Sequence, residues 1–239
     1  MALNEWIIYV LIIVGSYLVG SFPTGWILGK IMKNIDIREL GSGNTGFSNV
    51  YRLLGKGAAT ITIIVDVIIK GGVLAWAVRL IIGLLVIKPV PVEVYTLGFS
   101  DPVRQAIVVI AGLMSITGHN YPIWLKFKGG KGMATTAGVF INFVPISAAC
   151  LAIVWFTVVF TTKYTSLANI ITTPTLPLFI FLETFFIMKF DIYTCIPLMV
   201  GGLLAGLFVL WKHRDNIVRL KEGKERKFGD KSERIVEKS

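Results

Sequence analysis

The sequence predicts an all-α, polytopic membrane protein of about seven transmembrane helices. Three observations carry that reading. Charged residues make up 16% of the 239 positions and hydrophobic residues 54%, where a soluble domain usually carries about a quarter charged residues. Apolar runs of roughly twenty residues, the length that crosses a bilayer, recur from end to end. The polar residues collect in short segments between and after those runs. No separate soluble domain is visible, and the longest polar stretch is too short to bury a core. The chain therefore reads as a membrane domain over 1–220 and a charged tail over 221–239.

The first run, from Trp6 to Ile31, is not preceded by Lys or Arg and is too long for a signal-peptide core, so it reads as a retained span. Further spans follow at roughly 57–87, 104–118, 134–161, 167–187 and 194–211. Cations mark the loops expected to be cytoplasmic: Lys33, Arg38, Arg52 and Lys56 in the first, Lys126, Lys128 and Lys131 in the second, and the tail from Lys212. The 88–103 segment, with Glu93 and Asp101, fits the outside. With 134–161 as one span, the total is six and the basic tail ends outside, against the charge rule. Splitting it at Asn142–Pro145 gives seven, with the N-terminus outside and the C-terminus cytoplasmic. A proline breaks or kinks its helix, and short helices are tolerated where they line a protected cavity. One span plus a re-entrant segment is the competing count.

A net charge of +10 would suggest nucleic acid in a soluble chain. Here the cations flank apolar spans, and no basic helix with interleaved aromatics stands free of the bilayer, so the expected partner is membrane lipid, not nucleic acid. Cys150 and Cys195 lie in apolar runs without a second ligand nearby and read as small hydrophobes. Asp66 and Lys70 are spaced to pair on one helix face, and Arg79 and Lys88 are expected to snorkel outward. Paired carboxylates for glycoside chemistry, an acidic cluster for Mg²⁺ or Ca²⁺ and a G-x-S-x-G elbow are all missing.

Three polar segments hold the chemistry: Asp36–Gly55, Gly118–Gly132 and His213–Glu225. Each combines Gly, hydroxyl or amide groups with Lys or Arg, a mixture that suits a bound phosphate. In the first, Gly41, Gly43 and Gly46 spell G-x-G-x-x-G with Asp66 twenty residues on. No strand precedes them and Asp66 is in an apolar helix, so the dinucleotide reading fails. The alternative is a main chain that wraps an anion, with Ser42, Asn44, Ser48 and Asn49 as hydrogen-bonding groups and Arg52 as a bidentate charge. In the second, Lys128-Gly129-Gly130-Lys131-Gly132 leads into a helix at about Met133, whose free N–H groups face the loop. Leu125 stands where a Walker A glycine is needed. His119 and His213 lack an acid five residues on, so a His–Asp acyltransferase pair is absent. Neither has an orienting carboxylate at helical spacing; Asp215 lies on another face from His213.

In this order and spacing, the segments DIRELGSGNTGFSNVYRLLGK, GHNYPIWLKFKGGKGMAT and HRDNIVRLKEGKE, with Gly20-Ser21, Asp66 to Gly71 and the Lys163–Leu167 turn, resemble the bacterial acyl-phosphate:glycerol-3-phosphate acyltransferase (PlsY) family. The match covers most of the chain. The resemblance implies seven short helices with a site open to the cytoplasm of the bacterial inner membrane. It also implies acyl transfer from acyl phosphate to the 1-hydroxyl of glycerol 3-phosphate, giving lysophosphatidate and inorganic phosphate for phospholipid synthesis. No cofactor and no metal are implied, and the protein is expected to work as a monomer.

Residue by residue, the resemblance assigns phosphate binding to Ser42, Ser48, Arg52 and Lys131, helped by the backbone N–H of Gly43 and Gly130. Ser166, His213 and Asn216 match positions that seat the glycerol phosphate or the donor, and Arg38, Asn44 and His119 fall in the motifs. Ser42, Arg52, Lys131 and Asn216 are taken as the catalytic set. Catalysis is then positioning and charge stabilisation, with a substrate phosphate oxygen as the expected acceptor of the hydroxyl proton. Three departures stand out: Ser48 for a common Thr, Asp215 for a common Glu, and Thr165 for a usual Val. The rivals are a phosphometabolite transporter, which calls for symmetric halves that the sequence lacks, and a lipid-binding scaffold, which needs no clustered donors.

Overall fold

The computed structural model describes residues 3–86 and 101–230; Lys88 and Glu93 lie outside them. Among the described residues all regular structure is helical. Six helices among these residues are long and apolar enough to cross a membrane, and a shorter apolar helix runs over Met133–Phe143. Large apolar side chains point outward, with Leu11, Phe160 and Leu207 all more than half exposed. That surface suits hydrocarbon rather than water.

The first run is broken, not straight. Helix α1 (Leu3–Gly20) and helix α2 (Thr24–Lys33) are separated at Ser21–Pro23. Pro23 has no N–H to continue the helix, and Ser21 Oγ donates back to the Tyr17 carbonyl at 2.8 Å. The loop that follows is a small folded unit. In helix α3 (Phe47–Leu54), Val50, Leu53 and Leu54 point inward. They join Ile37, Ala58 and Ala59 in a core of their own.

Helix α4 (Lys56–Ile64) passes through a π-helical stretch, Val65–Val73, into helix α5 (Leu74–Val86). The π stretch packs on helix α7 (Met133–Phe143). There Gly71 and Gly138 lie close together: a Cβ on Gly71 would overlap the main chain of Gly138, and one on Gly138 would overlap the Val67 carbonyl. Helix α6 (Pro102–Asn120) packs along α1. The central core draws on these helices and on those that follow, through Val108, Ile116, Val139, Phe140, Ile180 and Leu198.

The expected break at Asn142–Pro145 is present. Helix α7 ends at Phe143, Val144 leaves the helical region (φ −142°, ψ 73°), and helix α8 (Pro145–Thr162) starts on the proline. The residue before a proline is driven out of the helical region. With only 11 residues, α7 is about 16 Å long, well short of a hydrocarbon core of about 30 Å.

The two helix ends exposed by this break are capped by charges from elsewhere. Glu183 accepts from the N–H groups of Ile146 (3.1 Å) and Ser147 (2.6 Å) at the start of α8. Arg79 donates to the carbonyl (3.0 Å) and side-chain oxygen (2.7 Å) of Asn142 at the end of α7. Each charge has the sign that its helix dipole favours. This corrects the expectation that Arg79 snorkels: it is 2% exposed and lies 4.9 Å over the Phe143 ring.

The remaining run is an irregular helical rod. Helix α9 (Thr165–Thr172), a tight turn at Thr173–Thr175, helix α10 (Leu176–Phe181) and a π stretch at Leu182–Ile187 follow one another. Helix α11 (Ile192–Lys212) carries Pro197 inside it, and helix α12 (Arg214–Lys221) closes the regular structure.

Candidate active site

The three polar segments, with the turn before α9, meet at one end of the bundle around a groove of about 420 Å³. Its polar wall holds Ser42, Ser48, Arg52, Lys131, Ser166 and Asn216, and its apolar wall holds Ile63, Val67, Phe140, Leu151, Trp155 and Leu176.

The first loop is shaped from within. Asn49, fully buried, donates to the carbonyls of Ile37 (2.8 Å), Leu40 (3.2 Å) and Asn44 (2.9 Å) and accepts from the Ser42 N–H (2.8 Å). Asn44 donates to Ser42 Oγ at 2.9 Å and accepts from the Gly46 N–H at 2.8 Å. Both asparagines thus spend their amides on the loop, which holds Ser42 in the groove wall. Ser48 Oγ lies 3.5 Å from Thr165 Oγ1. The Nε of Arg52 is buried without a hydrogen-bond partner, and burial lowers the pKa of its guanidinium. A buried donor without a partner favours an anion beside it.

In the second loop the Lys131 ammonium donates to Asn216 Oδ1. Burial, then the charge of Arg219, lowers the Lys131 pKa to about 8. Helix α7 starts beside it from Gly132 without a side-chain cap, so its first N–H groups are free for an anion. His213 and Asn216, from the α11–α12 junction, complete the wall.

Three residues expected at the site are placed elsewhere. Arg38 is outside the groove wall: it forks onto Asp36 (2.6 Å), which holds that carboxyl well below the usual range, and donates to the Leu125 carbonyl. The Gly43 N–H is spent on Leu40 O (3.0 Å) and that of Gly130 on His119 O (3.0 Å). Turn closure claims both donors before a ligand could. Gly130 is still required as glycine, since a Cβ there would run into the His119 ring.

His119 does have a carboxylate partner, from a distant helix rather than its own. Its Nδ1 is 3.5 Å from Asp66 Oδ1, while Lys70 Nζ is 2.6 Å from the same oxygen. All three side chains are buried, so the spaced Asp66–Lys70 pair is present with the imidazole joined to it.

The residue without an assigned role in the sequence reading is Glu225. Its Oε1 accepts from Ser166 Oγ (2.9 Å) and Asn216 Nδ2 (2.7 Å), and its Oε2 from Arg219 Nε (2.8 Å). Three residues on, Phe228 stacks on Phe47 and its N–H bonds to Lys163 O, so this segment closes one side of the groove. The only sequence cue was the place of Glu225 at the end of the third polar segment. Arg52, Lys131, Arg219 and Arg226 outnumber Glu225 and Asp66 in the wall, so the polar end attracts anions. Among the described residues no three His, Cys, Asp or Glu side chains gather as a metal site would require.

Residues 10–223 match the family model described as glycerol-3-phosphate acyltransferase. The chain belongs to that family. Among similar proteins, the glycerol-3-phosphate acyltransferase of Gloeobacter violaceus is 37% identical over 90% of this chain and 92% of its own. That of Prochlorococcus marinus strain MIT 9215 is 42% identical over 91% and 96%. A crystal structure of PlsY, an integral membrane glycerol 3-phosphate acyltransferase in its glycerol 3-phosphate form, superposes with a TM-score of 0.73 at 30% identity. It covers 92% of this acyltransferase and 96% of the crystallised chain. The lysophosphatidic acid form superposes at 0.71.

Proposed function

We propose that this acyltransferase carries a fatty acyl group from acyl phosphate to the 1-hydroxyl of glycerol 3-phosphate, releasing 1-acylglycerol 3-phosphate and inorganic phosphate for phospholipid synthesis. The protein sits as a monomer in the bacterial inner membrane with the groove on the cytoplasmic side, the N-terminus outside, and the segment beyond 220 on the cytoplasmic face. One observation carries the reading: a cationic, hydroxyl-rich end opens directly into an apolar groove, the shape needed for an acyl chain with a phosphate at its head.

Ser42, Ser48, Arg52 and Lys131 hold phosphate oxygens, and the start of α7 adds its free N–H groups. Ser166 and Asn216 seat the glycerol phosphate or the donor, with the His213 ring packed beside them as part of the wall and Asn44 and His119 supporting the two loops. The donor is a mixed anhydride and already activated. The glycerol oxygen attacks the acyl carbon, the bond from that carbon to the phosphate oxygen breaks, and a substrate phosphate oxygen takes the hydroxyl proton. The protein's share is alignment and stabilisation of the charge that develops on the carbonyl oxygen and the leaving phosphate.

The test uses purified protein in lipid. Phosphate release that requires both acyl phosphate and glycerol 3-phosphate supports the enzyme. Counterflow of labelled glycerol 3-phosphate into sealed vesicles without phosphate release replaces it with a transporter.

A further inference from the structure

A hydrogen-bond chain runs from the apolar wall of the groove to its polar end. Trp155 Nε1 donates to Asn169 Oδ1 at 2.6 Å. Asn169 Nδ2 lies 3.0 Å from His213 Nε2, and His213 Nδ1 lies 2.8 Å from the Val209 carbonyl. Every direction in this chain is forced. An indole N–H can only donate, so Asn169 turns its oxygen to Trp155 and its NH₂ to the imidazole. The NH₂ donates, so Nε2 accepts. A carbonyl can only accept, so Nδ1 carries the proton. The ring is neutral, and its one lone pair is taken.

We infer that Trp155 and Asn169 are positioning residues that hold His213 as the neutral Nδ1–H tautomer with Nε2 occupied, and so withdraw it from proton transfer during acylation. The role in acylation rests on the function proposed above; the tautomer does not.

The surroundings act in the same direction. His213 is 2% exposed. The charged groups acting on it are Lys131 from the second loop, Arg219 from α12 and Glu225 beyond it. Two of these three are cations. Burial, followed by the charge of Lys131, lowers the His213 pKa to about 4. A protonated imidazole here would also oppose the charge on Lys131, which the polar end needs. Asn169 lies three residues after Ser166, on the same face of α9, and Trp155 comes from the lipid-facing helix α8. Packing of the apolar wall is thereby tied to the state of a side chain at the polar end.

The chain has two histidines, His119 and His213, so ¹⁵N-histidine spectra of the whole protein in lipid nanodiscs can be assigned with a single His119→Asn variant. The expected result is a His213 ring protonated at Nδ1 and bare at Nε2, unchanged from about pH 8 down to about pH 5, a window in which a free imidazole titrates. Trp155→Phe keeps a ring in the wall and removes the N–H, which frees Asn169 to flip and offer its oxygen. His213 is then expected to titrate at least about one pH unit higher, and the pH profile of kcat/KM gains a histidine limb that the parent lacks. Asn169→Leu, which removes the bond to Nε2 directly, is the second variant. Titration of the parent His213 near its ordinary value, an Nε2–H tautomer, or two folded variants with the parent's spectrum and pH profile would each overturn the inference. A spectrum as expected in a protein that releases no phosphate would leave the tautomer lock standing and sink the proposed function instead.

Discussion

Lys131 and Asn216 are 85 residues apart in the chain and touch in the groove, the ammonium donating to the amide oxygen. Asn216 hands its own NH₂ to Glu225, which in turn gathers Ser166 and Arg219. Three separated segments thus share one polar network, and Lys131 is the cation in it whose pKa burial lowers to about 8.

Lys131→Ala is expected to lose at least about 2 kcal/mol of transition-state stabilisation, on the scale of a desolvated charge contact. That corresponds to a fall of about 30-fold or more in kcat/KM for phosphate release. Near-parental turnover would remove Lys131 from the chemistry.

The pH dependence follows from the same residue. Its pKa is lowered to about 8, so the ammonium is present below that pH and lost above it. In the free enzyme, kcat/KM is expected to decline as pH rises through about 8, and Lys131→Arg to abolish that limb, because a guanidinium stays charged. For stability the sign is the reverse. The unfolded chain holds this proton up to about 10.4, so the contribution of Lys131 to stability rises with pH between those two values. A flat profile in the parent up to pH 10 would count against the assignment.

Glu225→Ala leaves Arg219 Nε, Ser166 Oγ and one amide hydrogen of Asn216 without their partner. A cost of about 1–3 kcal/mol in stability is expected for such orphaned groups, together with loss of activity as the segment around Phe228 detaches. Glu225→Gln, which keeps the shape, should lose less. Thermal unfolding in detergent beside the phosphate-release assay separates the two effects.

Asp66→Asn isolates the buried Lys70 ammonium and is expected to destabilise by about 3–5 kcal/mol. The double variant Asp66→Leu, Lys70→Met removes both charges and should recover most of that loss. Equal melting temperatures for the single and double variants would show that the unpaired ammonium is not the source of the loss.

Ala137 faces the apolar part of the groove. Ala137→Leu shortens the space available, and the expected outcome is a shift of kcat/KM toward shorter acyl phosphates. An unchanged chain-length preference would place the acyl chain elsewhere.

Much of this was readable along the chain because it depends on local chemistry. Pro145 lacks an N–H and drives the residue before it out of the helical region, and α7 and α8 part at Val144. Asp66 and Lys70 pair because they are four residues apart on one helix. By contrast, Arg79 read as a snorkelling side chain because nothing nearby in sequence could hold it. Its partner is an Asn142 carbonyl 63 positions away. The carboxylate facing His119 was hidden in the same way, since Asp66 reaches it across a helix–helix contact. Gly43 and Gly130 carried the right composition for an anion loop, but whether an N–H is free depends on how the turn closes, which composition does not record.

The sequence by itself determined a multi-span helical chain, its break before Pro145 and the cationic, glycine-bearing segments that mark it as a family member. Those properties reside in runs of neighbouring residues, where hydrophobicity, proline and charge act without reference to the rest of the molecule. Tertiary structure decided which donors remain open to a ligand, that Glu225 joins the site, and that Trp155, Asn169 and His213 form one directed chain. A hydrogen bond is a matter of a few tenths of an ångström and a defined angle, and only packing of distant helices brings such atoms to that distance.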